Sequence, residues 1–299
     1  MKKFYIWLVV GLCGLLLGRF ISEWPDGKLR LVQCDVGQGD AILITRGFSQ
    51  FLIDAGKGDE VLACLEKYMP FWDRQLDFVM ATHADIDHIG GFDDILKRYR
   101  TDIFLFNGRG DSSSAWSSLL RLLTEKKVKT QVFGQNTVIM AGELVFEGLW
   151  PGKRDAKNLV DSEDDFASIA SKQLSNGVAS KMEENGNENS IVLRFSYEKF
   201  EALLTGDIPD WVEKQLIDEV ELKSLLLKVS HHGSRSSSGK EFIEAVKPRV
   251  ATIGVGENSY GHPHVEVMEL LEEASVKVYR TDEDGDVVVV TDGARWWRE

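Results

Sequence analysis

Two histidines and two aspartates lie within six residues of one another in the stretch 82–91, which reads Thr-His-Ala-Asp-Ile-Asp-His-Ile-Gly-Gly. The apolar run 76–81 before it is typical of a buried strand, and a helical pattern begins near Phe92. The cluster therefore lies on a strand-to-helix turn, where side chains can converge on one point, and Gly90 and Gly91 let the backbone turn tightly. Aspartate alone would suit a helix N-terminus, but two histidines at this spacing have no capping role. The stretch predicts a metal site.

The other polar groups at strand ends strengthen that prediction. All six histidines fall in three short stretches, which contain His83 and His88, His231 and His232, and His262 and His264. Asp54 closes the apolar run 51–53, and Asp207 follows the apolar run 202–204. Histidines that serve packing would not collect in glycine-flanked turns after apolar strands. These strand ends predict the rim of an active site.

The motifs at these positions resemble the metallo-β-lactamase superfamily, and within it the hydrolase domain of ComEC-type competence proteins. The resemblance rests on the segments 35–40, 52–56, 83–91, 204–207, 228–234 and 258–264, which occur in the family's order. Asp85 stands where most members have histidine, as in the ComEC-like branch. The histidine that many members place before the late aspartate is missing from the segment around Asn189. The resemblance implies an α/β fold, a four-layer αββα sandwich preceded here by a hydrophobic anchor helix.

The resemblance also implies two divalent metal ions, zinc or manganese. One ion would be held by His83 and Asp85 and the other by Asp87 and His88, with Asp207 between them and His231 completing the set. Three further residues would support these ligands: Asp54, His232 and Asn189. Two such ions can clamp the attacking and leaving oxygens of a phosphoryl displacement. The large share of carboxylates favours manganese without excluding zinc.

The segment 233–238, Gly-Ser-Arg-Ser-Ser-Ser, favours a phosphate substrate. Backbone amides, the Ser234 hydroxyl and the Arg235 guanidinium can form a local anion site, although a flexible loop that caps the next helix fits the pattern equally well. Asp87 and His262 are the candidate catalytic residues, and His262 could donate a proton to the leaving oxygen. A structural role for His262 is an equal alternative, and His264 is expected to cap a helix or face solvent.

Composition narrows the possible partners. A net charge of −13 argues against a broad basic surface for nucleic acid, so any phosphate contact must be local. The chain of 299 residues can bury a large core, and its alternation of strands and helices favours one α/β unit. The three cysteines Cys13, Cys34 and Cys64 allow at most one pair and are expected to be small buried apolar residues.

The segment 1–22 is a separate element. Lys2 and Lys3 precede an apolar run that ends at Arg19, and no small-residue cleavage site follows it. We expect an uncleaved anchor that keeps the lysines in the cytoplasm and places the domain 28–299 outside, with cleavage or a buried core helix as alternatives. Within that domain the segment 155–188 is polar and acidic, which indicates an insertion with one short helix at about 166–174.

The sequence therefore predicts a metal-dependent hydrolase, a phosphodiesterase or nuclease that acts on DNA outside the cytoplasm. The alternatives are a phosphodiesterase for a cell-wall or choline-phosphate polymer, an amide hydrolase of the lactamase type, and a catalytically weak surface-binding module. The membrane is an expected partner through the anchor, and no dedicated protein partner is predicted. A single hydrophobic segment cannot form a transport channel, so DNA uptake is not part of the prediction.

Overall fold

The computed structural model describes residues 2–152 and 186–299, and two β-sheets form the centre of that part of the chain. The first sheet contains β1 (Leu29–Gln33), β2 (Ile42–Arg46), β3 (Ser49–Ile53), β4 (Gln75–Ala81), β5 (Arg100–Phe106), β6 (Lys129–Val132), β14 (Val287–Thr291) and β15 (Trp296–Arg298). The second contains β7 (Val138–Ala141), β8 (Leu144–Trp150), β9 (Val192–Tyr197), β10 (Phe200–Leu204), β11 (Leu226–Lys228), β12 (Val250–Ile253) and β13 (Lys277–Arg280).

The helices of the described residues are α1 (Lys2–Ser22), α2 (Glu60–Tyr68), α3 (Ile86–Ile89), α4 (Phe92–Arg98), α5 (Ser114–Glu125), α6 (Asp210–Glu219), α7 (Lys240–Val246), α8 (Val265–Glu273) and α9 (Thr281–Asp284). Short 3-10 turns lie at Asn187–Asn189 and Ser230–Gly233. α5 begins at a serine cap, in which the Ser113 hydroxyl accepts a 3.2 Å hydrogen bond from Trp116 N. α2 is the helix that the spacing of Val61, Leu62, Leu65 and Met69 predicts from the sequence.

Strand direction decides where the polar turns lie. β1, β2 and β3 pair antiparallel, as their short glycine-containing connections predict, and β3 to β6 then run parallel. In the second sheet β10 to β13 run parallel. The carboxyl ends of parallel strands share one edge of a sheet, so the turns after β3, β4, β10, β11 and β12 can meet there. These turns carry nearly all of the predicted site residues.

Three apolar layers hold the sheets and helices together. The layer between the sheets is rich in phenylalanine, with Phe51 4.8 Å from Phe78 and 4.9 Å from Phe146, and Phe146 5.0 Å from Phe195, between ring centroids. A second layer buries α2, α4 and α5 on the outer face of the first sheet. A third region buries α6, α7 and α8 on the outer face of the second sheet. The predicted four-layer αββα sandwich is confirmed.

Two expectations about local structure are wrong. The apolar pattern of the run 137–149 predicts one strand, but the structure forms a hairpin there, in which Ala141 pairs with Leu144. Gly142 begins the two-residue connection with a φ of +62°, a conformation that glycine adopts without steric cost and that suits tight hairpins. The sequence pattern predicts two strands after α8, but the structure forms three, which are β13, β14 and β15. The predicted short helix at about 166–174, with most of the predicted insertion, lies outside the described residues.

Cys34 and Cys64 form a disulfide, which corrects the expectation of free buried cysteines. Their Cα atoms are 5.8 Å apart, and the bond joins the residue after β1 to the middle of α2. Both side chains are buried, whereas Cys13 on α1 is exposed. The spacing of three cysteines along the chain could not show which two meet in the fold.

α1 is the one helix in the described part of the chain that is long and apolar enough to cross a membrane. Its segment Phe4–Ser22 contains 19 residues and is not buried in the sandwich, although Arg19 and Phe20 near its end contact Phe71 and Trp72. A signal sequence near an N-terminus has the same length and composition. The predicted apolar N-terminal helix is therefore present, and its function as an anchor is taken up below.

Candidate metal centre

The turn after β4 packs its backbone directly onto the loop after β3. A Cβ atom on Gly90 would lie 2.0 Å from the carbonyl oxygen of Lys57, and one on Gly91 would lie 2.2 Å from that of Ala55. Side chains larger than glycine do not fit at these two positions. The close approach brings α3, which carries Asp87 and His88, against the loop that begins with Asp54.

Asp54 fixes the orientation of both imidazoles in this turn. Its Oδ2 atom lies 2.7 Å from Nδ1 of His88 and accepts a 2.7 Å hydrogen bond from the Thr82 hydroxyl. That hydroxyl has then used its proton, so it accepts from Nδ1 of His83 at 3.0 Å. Both rings therefore carry a proton on Nδ1 and present Nε2 to the site. Asp54 was predicted to support the ligands, and it lies where such a residue would act.

The structure separates the neighbouring residues His231 and His232. His232 is buried, and its Nδ1 donates a 2.7 Å hydrogen bond to the Gly254 carbonyl, which leaves Nε2 3.4 Å from Asp87 Oδ2 and 3.3 Å from Asp207 Oδ2. The side chain of His231 is 28% exposed, and its Nε2 is 4.0 Å from Asp207 Oδ2.

Backbone conformation explains this separation. Both histidines have left-handed backbones, with φ of +49° and +53°, so the chain coils tightly and the first ring turns toward Asn187, whose amide lies 3.3 Å from it. The geometry favours His232 as the ligand, the reverse of the predicted assignment in which His231 is the ligand and His232 its support.

Three imidazole nitrogens of the described residues converge without a hydrogen-bond partner. They are Nε2 of His83, His88 and His232, and all three are buried. The ring centroids of His83 and His88 are 4.1 Å apart, and those of His88 and His232 are 5.4 Å apart. A buried polar atom without a partner costs about 1–3 kcal/mol. Divalent metals accept several imidazole and carboxylate ligands at once, so these residues fit a metal centre.

The carboxylates beside these rings are strongly acidic. Burial alone would raise the pKa of Asp207, but His232, His88 and Lys228 outweigh it and hold that pKa well below the usual range. Burial would likewise raise the pKa of Asp87, and His232 and His88 lower it. Both carboxylates are therefore ionised at neutral pH and can act as ligands.

The imidazoles show the reciprocal effect. Burial would lower the pKa of His88, but Asp207 and Asp54 raise it well above its ordinary value. In the same way Asp207 and Asp40 outweigh burial and raise the pKa of His232 to about 10. Nε2 of each ring is therefore a position for which a proton and a metal ion compete.

Lys228 and Asp40 form a buried ion pair behind the centre, and the sequence prediction gave neither residue a role. The ammonium of Lys228 contacts Asp40 Oδ2, lies 3.3 Å from Asp207 Oδ1 and donates to the Gly206 carbonyl at 2.8 Å. Asp40, His88, Asp207 and His232 each place a ligand atom within 4.8 Å of the others. Because Lys228 occupies one oxygen of Asp40, we interpret Asp40 as a counter-ion. A lysine inside the apolar run 225–229 was the available signal.

The side of the centre near His83 is more open. Asp85 Oδ2 lies 3.6 Å from His83 Nε2, and the side chain of Asp85 is 51% exposed. Asn189 is buried. Its side-chain amide donates to Glu188 Oε1 at 3.2 Å, and its backbone carbonyl accepts from the Asn107 side chain at 2.8 Å. Asn189 thus lies in the adjoining turn, where the family's histidine is missing. Its hydrogen bonds there join it to Glu188 and Asn107, and not to His83 or Asp85.

The serine loop 233–238 is held by hydrogen bonds, unlike the flexible loop that was one of the two alternatives from the sequence. Glu213 on α6 accepts hydrogen bonds from the backbone amides of Ser238 and Gly239, the latter at 3.0 Å. Burial raises the pKa of Glu213 to about 7, and the two amides oppose that rise. Ser234 is buried, whereas Arg235 is exposed, and its guanidinium lies 3.4 Å from His264 Nδ1. The two predicted phosphate contacts therefore differ in access to solvent.

His262 lies at the rim of the centre, 5.5 Å from His231 between ring centroids. Burial, with the nearby rings of His231 and His232, lowers the pKa of His262 to about 4. The ring is therefore neutral at pH 7, which disfavours the predicted role of a cationic proton donor. His264, expected to cap a helix or face solvent, occupies the N-cap position of α8, is half-buried and makes no side-chain capping hydrogen bond.

Comparison with known proteins agrees with this fold. The family model for the metallo-beta-lactamase superfamily matches residues 34–257. The structure resembles the metallo-beta-lactamase fold protein YhfI from Bacillus subtilis, with a TM-score of 0.55 and 13% identity over 88% of this chain and 100% of that one. It also resembles CmlA, a diiron beta-hydroxylase from Streptomyces venezuelae, with a TM-score of 0.53 and 11% identity over 92% of this chain and 55% of that one. At these identities the likeness shows the fold alone.

The chain therefore belongs to the metallo-β-lactamase superfamily. Within it, the chain is 30% identical to ComE operon protein 3 of Bacillus subtilis over 92% of its length, and 27% identical to competence protein ComA of Neisseria gonorrhoeae over 91%. It spans 34% of the length of each of these relatives. The resemblance to the hydrolase domain of ComEC-type competence proteins is confirmed.

Proposed function

We propose that this chain is a metal-dependent hydrolase that cleaves phosphodiester bonds, with DNA as its substrate. The observation that carries the proposal is the convergence of three buried, unpartnered imidazole Nε2 atoms, from His83, His88 and His232, on the carboxylates of Asp87 and Asp207. This donor set fits divalent ions such as zinc or manganese, and the similarity to competence proteins supports DNA as the substrate.

The residues divide between two positions. His83 and Asp85 would hold one ion, and Asp87, His88 and His232 the other, with Asp207 between them. A bound pair of divalent ions supplies Lewis acidity and lowers the pKa of water so that it can attack at neutral pH. The low pKa of Asp87 keeps its carboxylate ionised, which supports a role for it in binding metal and in accepting a hydrogen bond from the attacking water.

Other residues position and shield these groups. Asp54 holds two imidazoles in one tautomer, and Lys228 keeps Asp207 oriented by binding its Oδ1 atom, so that Oδ2 faces the rings. Arg235, whose exposed guanidinium lies 3.4 Å from His264 Nδ1, would attract the phosphate. The neutral ring of His262 can bind a phosphate oxygen or the leaving group through its N–H.

We further propose that the segment 1–22 anchors the domain 28–299 outside the cytoplasm. α1 is long and apolar enough to span a membrane, and the Cys34–Cys64 disulfide supports an oxidising compartment, because disulfides seldom persist in the cytosol. Lys2 and Lys3 before the apolar run favour an orientation with the N-terminus in the cytoplasm.

The test uses the full chain purified in detergent. It is incubated with Mn²⁺ or Zn²⁺ and with one substrate at a time: single-stranded DNA, duplex DNA, a choline-phosphate polymer or a β-lactam. We expect cleavage of DNA that is lost on chelation and restored by metal. The matched control is Asp207→Asn, which keeps the shape of the side chain but removes its charge.

Cleavage of the choline-phosphate polymer without cleavage of DNA would assign the alternative substrate. Stoichiometric metal binding with no hydrolysis of any substrate would contradict the proposal and favour a surface-binding module. Activity unchanged in Asp207→Asn would show that the hydrolysis arises elsewhere or from a contaminant.

A further inference from the structure

Aromatic side chains gather where α1 meets the sandwich. Phe20 lies 4.2 Å from Trp72 and 5.3 Å from Trp24 between ring centroids, Trp24 lies 5.4 Å from Phe48, and Phe71 lies 4.9 Å from Trp72. We call these five residues the aromatic face. Although they contact one another, Trp24 is 54% exposed, Phe48 is 53% exposed and Phe20 is 36% exposed. Large apolar side chains grouped and exposed in this way indicate a surface that binds something.

Polar contacts fix this face to the end of α1. Glu23, just after the helix, accepts a 2.8 Å hydrogen bond from the backbone amide of Phe71 and a 2.7 Å bond from the Arg19 guanidinium. The same guanidinium lies 4.7 Å from the centroid of the Phe71 ring, in a cation–π contact. The helix end, the turn between β2 and β3, and the segment between α2 and β4 therefore form one surface.

Topology places the aromatic face opposite the metal centre. Phe48 directly precedes β3, and Phe71 and Trp72 precede β4, so both segments lie at the amino ends of these parallel strands. Asp54 and Thr82 follow the same two strands at their carboxyl ends. A strand rises about 3.3 Å per residue, so the seven residues of β4 separate the two edges by roughly 20 Å.

We propose that the aromatic face lies in the headgroup layer of the lipid bilayer and holds the domain with its metal centre directed away from the membrane. Tryptophan and other aromatic rings favour this layer, because an apolar body can enter the acyl boundary while a polar edge stays wet. The face begins at the end of the apolar helix, so an anchored α1 would bring it to that depth without a further hinge. The inference rests on the proposed anchor and is independent of the proposed hydrolysis.

The test measures depth with single fluorescent labels on the full chain in vesicles of neutral phosphatidylcholine. In a Cys13→Ser background, an environment-sensitive label is placed at Phe48→Cys and, in a second protein, at Tyr260→Cys. Tyr260 is a matched control because it is 69% exposed and follows β12, on the site side of the molecule. We expect the label at position 48 to lose most of its emission to brominated lipid and to resist quenching by iodide. The label at position 260 should show the opposite behaviour.

Quenching of the label at position 48 by iodide and not by brominated lipid would overturn the proposal. Protection from both quenchers would also overturn it, by indicating a protein partner or a second copy on this face. A label at Trp24→Cys repeats the measurement if Phe48→Cys folds poorly. The quenching measurements require neither metal nor substrate. The same quenching in Asp207→Asn would therefore show that this inference does not depend on the proposed hydrolase activity.

Discussion

Two turns supply the imidazoles of the candidate metal centre, and the fold holds them in different ways. In the turn after β4, the Asp54 carboxylate fixes His88 directly and His83 through the Thr82 hydroxyl. In the turn after β11, the backbone carbonyl of Gly254 fixes His232. A carboxylate makes the ring more basic and can be removed by mutation, whereas a carbonyl is positioned by the path of the chain. Ligand geometry is thus encoded in side chains at the first turn and in backbone conformation at the second.

Mutation should affect metal affinity most at the second turn, where the two histidines should differ. His232→Ala should weaken metal binding by at least about 100-fold and abolish activity, because loss of a hydrogen bond outside the ligands already costs about 10–100-fold. His231→Ala should keep most of the metal affinity, since its ring is 4.0 Å from Asp207 and part-exposed. The metal affinity of both variants is measured by calorimetric titration with Mn²⁺ and Zn²⁺, and their metal content by mass spectrometry. A greater loss in His231→Ala would restore the assignment made from the sequence.

The scaffold beneath the first turn carries a covalent link, and among the described residues the second has none. Replacing Cys34 and Cys64 by serine should lower the free energy of unfolding by about 3–4 kcal/mol, because the disulfide closes a loop with a sequence separation of 30 residues. Urea unfolding of the wild type, with and without reductant, provides the comparison. An equal loss on reducing a Cys13→Ser variant would confirm that the 34–64 bond is responsible, and no loss on reduction would contradict the prediction.

The loop after the second turn depends on a buried acid. Folding raises the pKa of Glu213 from 4.5 to about 7, so this group stabilises the fold below pH 4.5 and that contribution is lost as the pH rises through 7. The loss should approach about 3 kcal/mol at pH 8. Glu213→Gln cannot ionise, so the unfolding free energy of the wild type should fall by about 2–3 kcal/mol relative to that of the variant from pH 5 to pH 8. A difference that is constant with pH would show that Glu213 does not titrate in this range.

The smallest losses of metal affinity are expected when the residues that hold the histidines of the first turn are replaced. Asp54→Asn weakens the hold on both rings and should cost about 10–100-fold in metal affinity. Thr82→Val interrupts only the link to His83 and should therefore act on one of the two ions, with a loss nearer the lower end of that range. Titrations that resolve two binding steps measure this difference. Equal losses at both steps in Thr82→Val would mean that the hydroxyl supports the whole turn.

Much of the fold follows from local pattern. Apolar spacing predicts α2, and the short glycine-containing connections predict the antiparallel start of the first sheet. The run 137–149 was misread as one strand because apolar residues continue on both sides of Gly142, whose positive φ no periodicity reveals. The aromatic face was also invisible in the sequence, since its rings come from three separate segments.

The first turn can be predicted as a metal site from the sequence, because it gathers four candidate ligands within six residues. The sequence also determined the polar groups at strand ends and the apolar helix at the N-terminus. Only the folded structure shows the different positions of His231 and His232, the pairing of Cys34 with Cys64, and the contacts of Lys228 with Asp40 and Asp207. The physical reason is distance along the chain. Contacts between remote segments depend on strand order and backbone dihedral angles, and neither quantity is written in the identity or spacing of neighbouring residues.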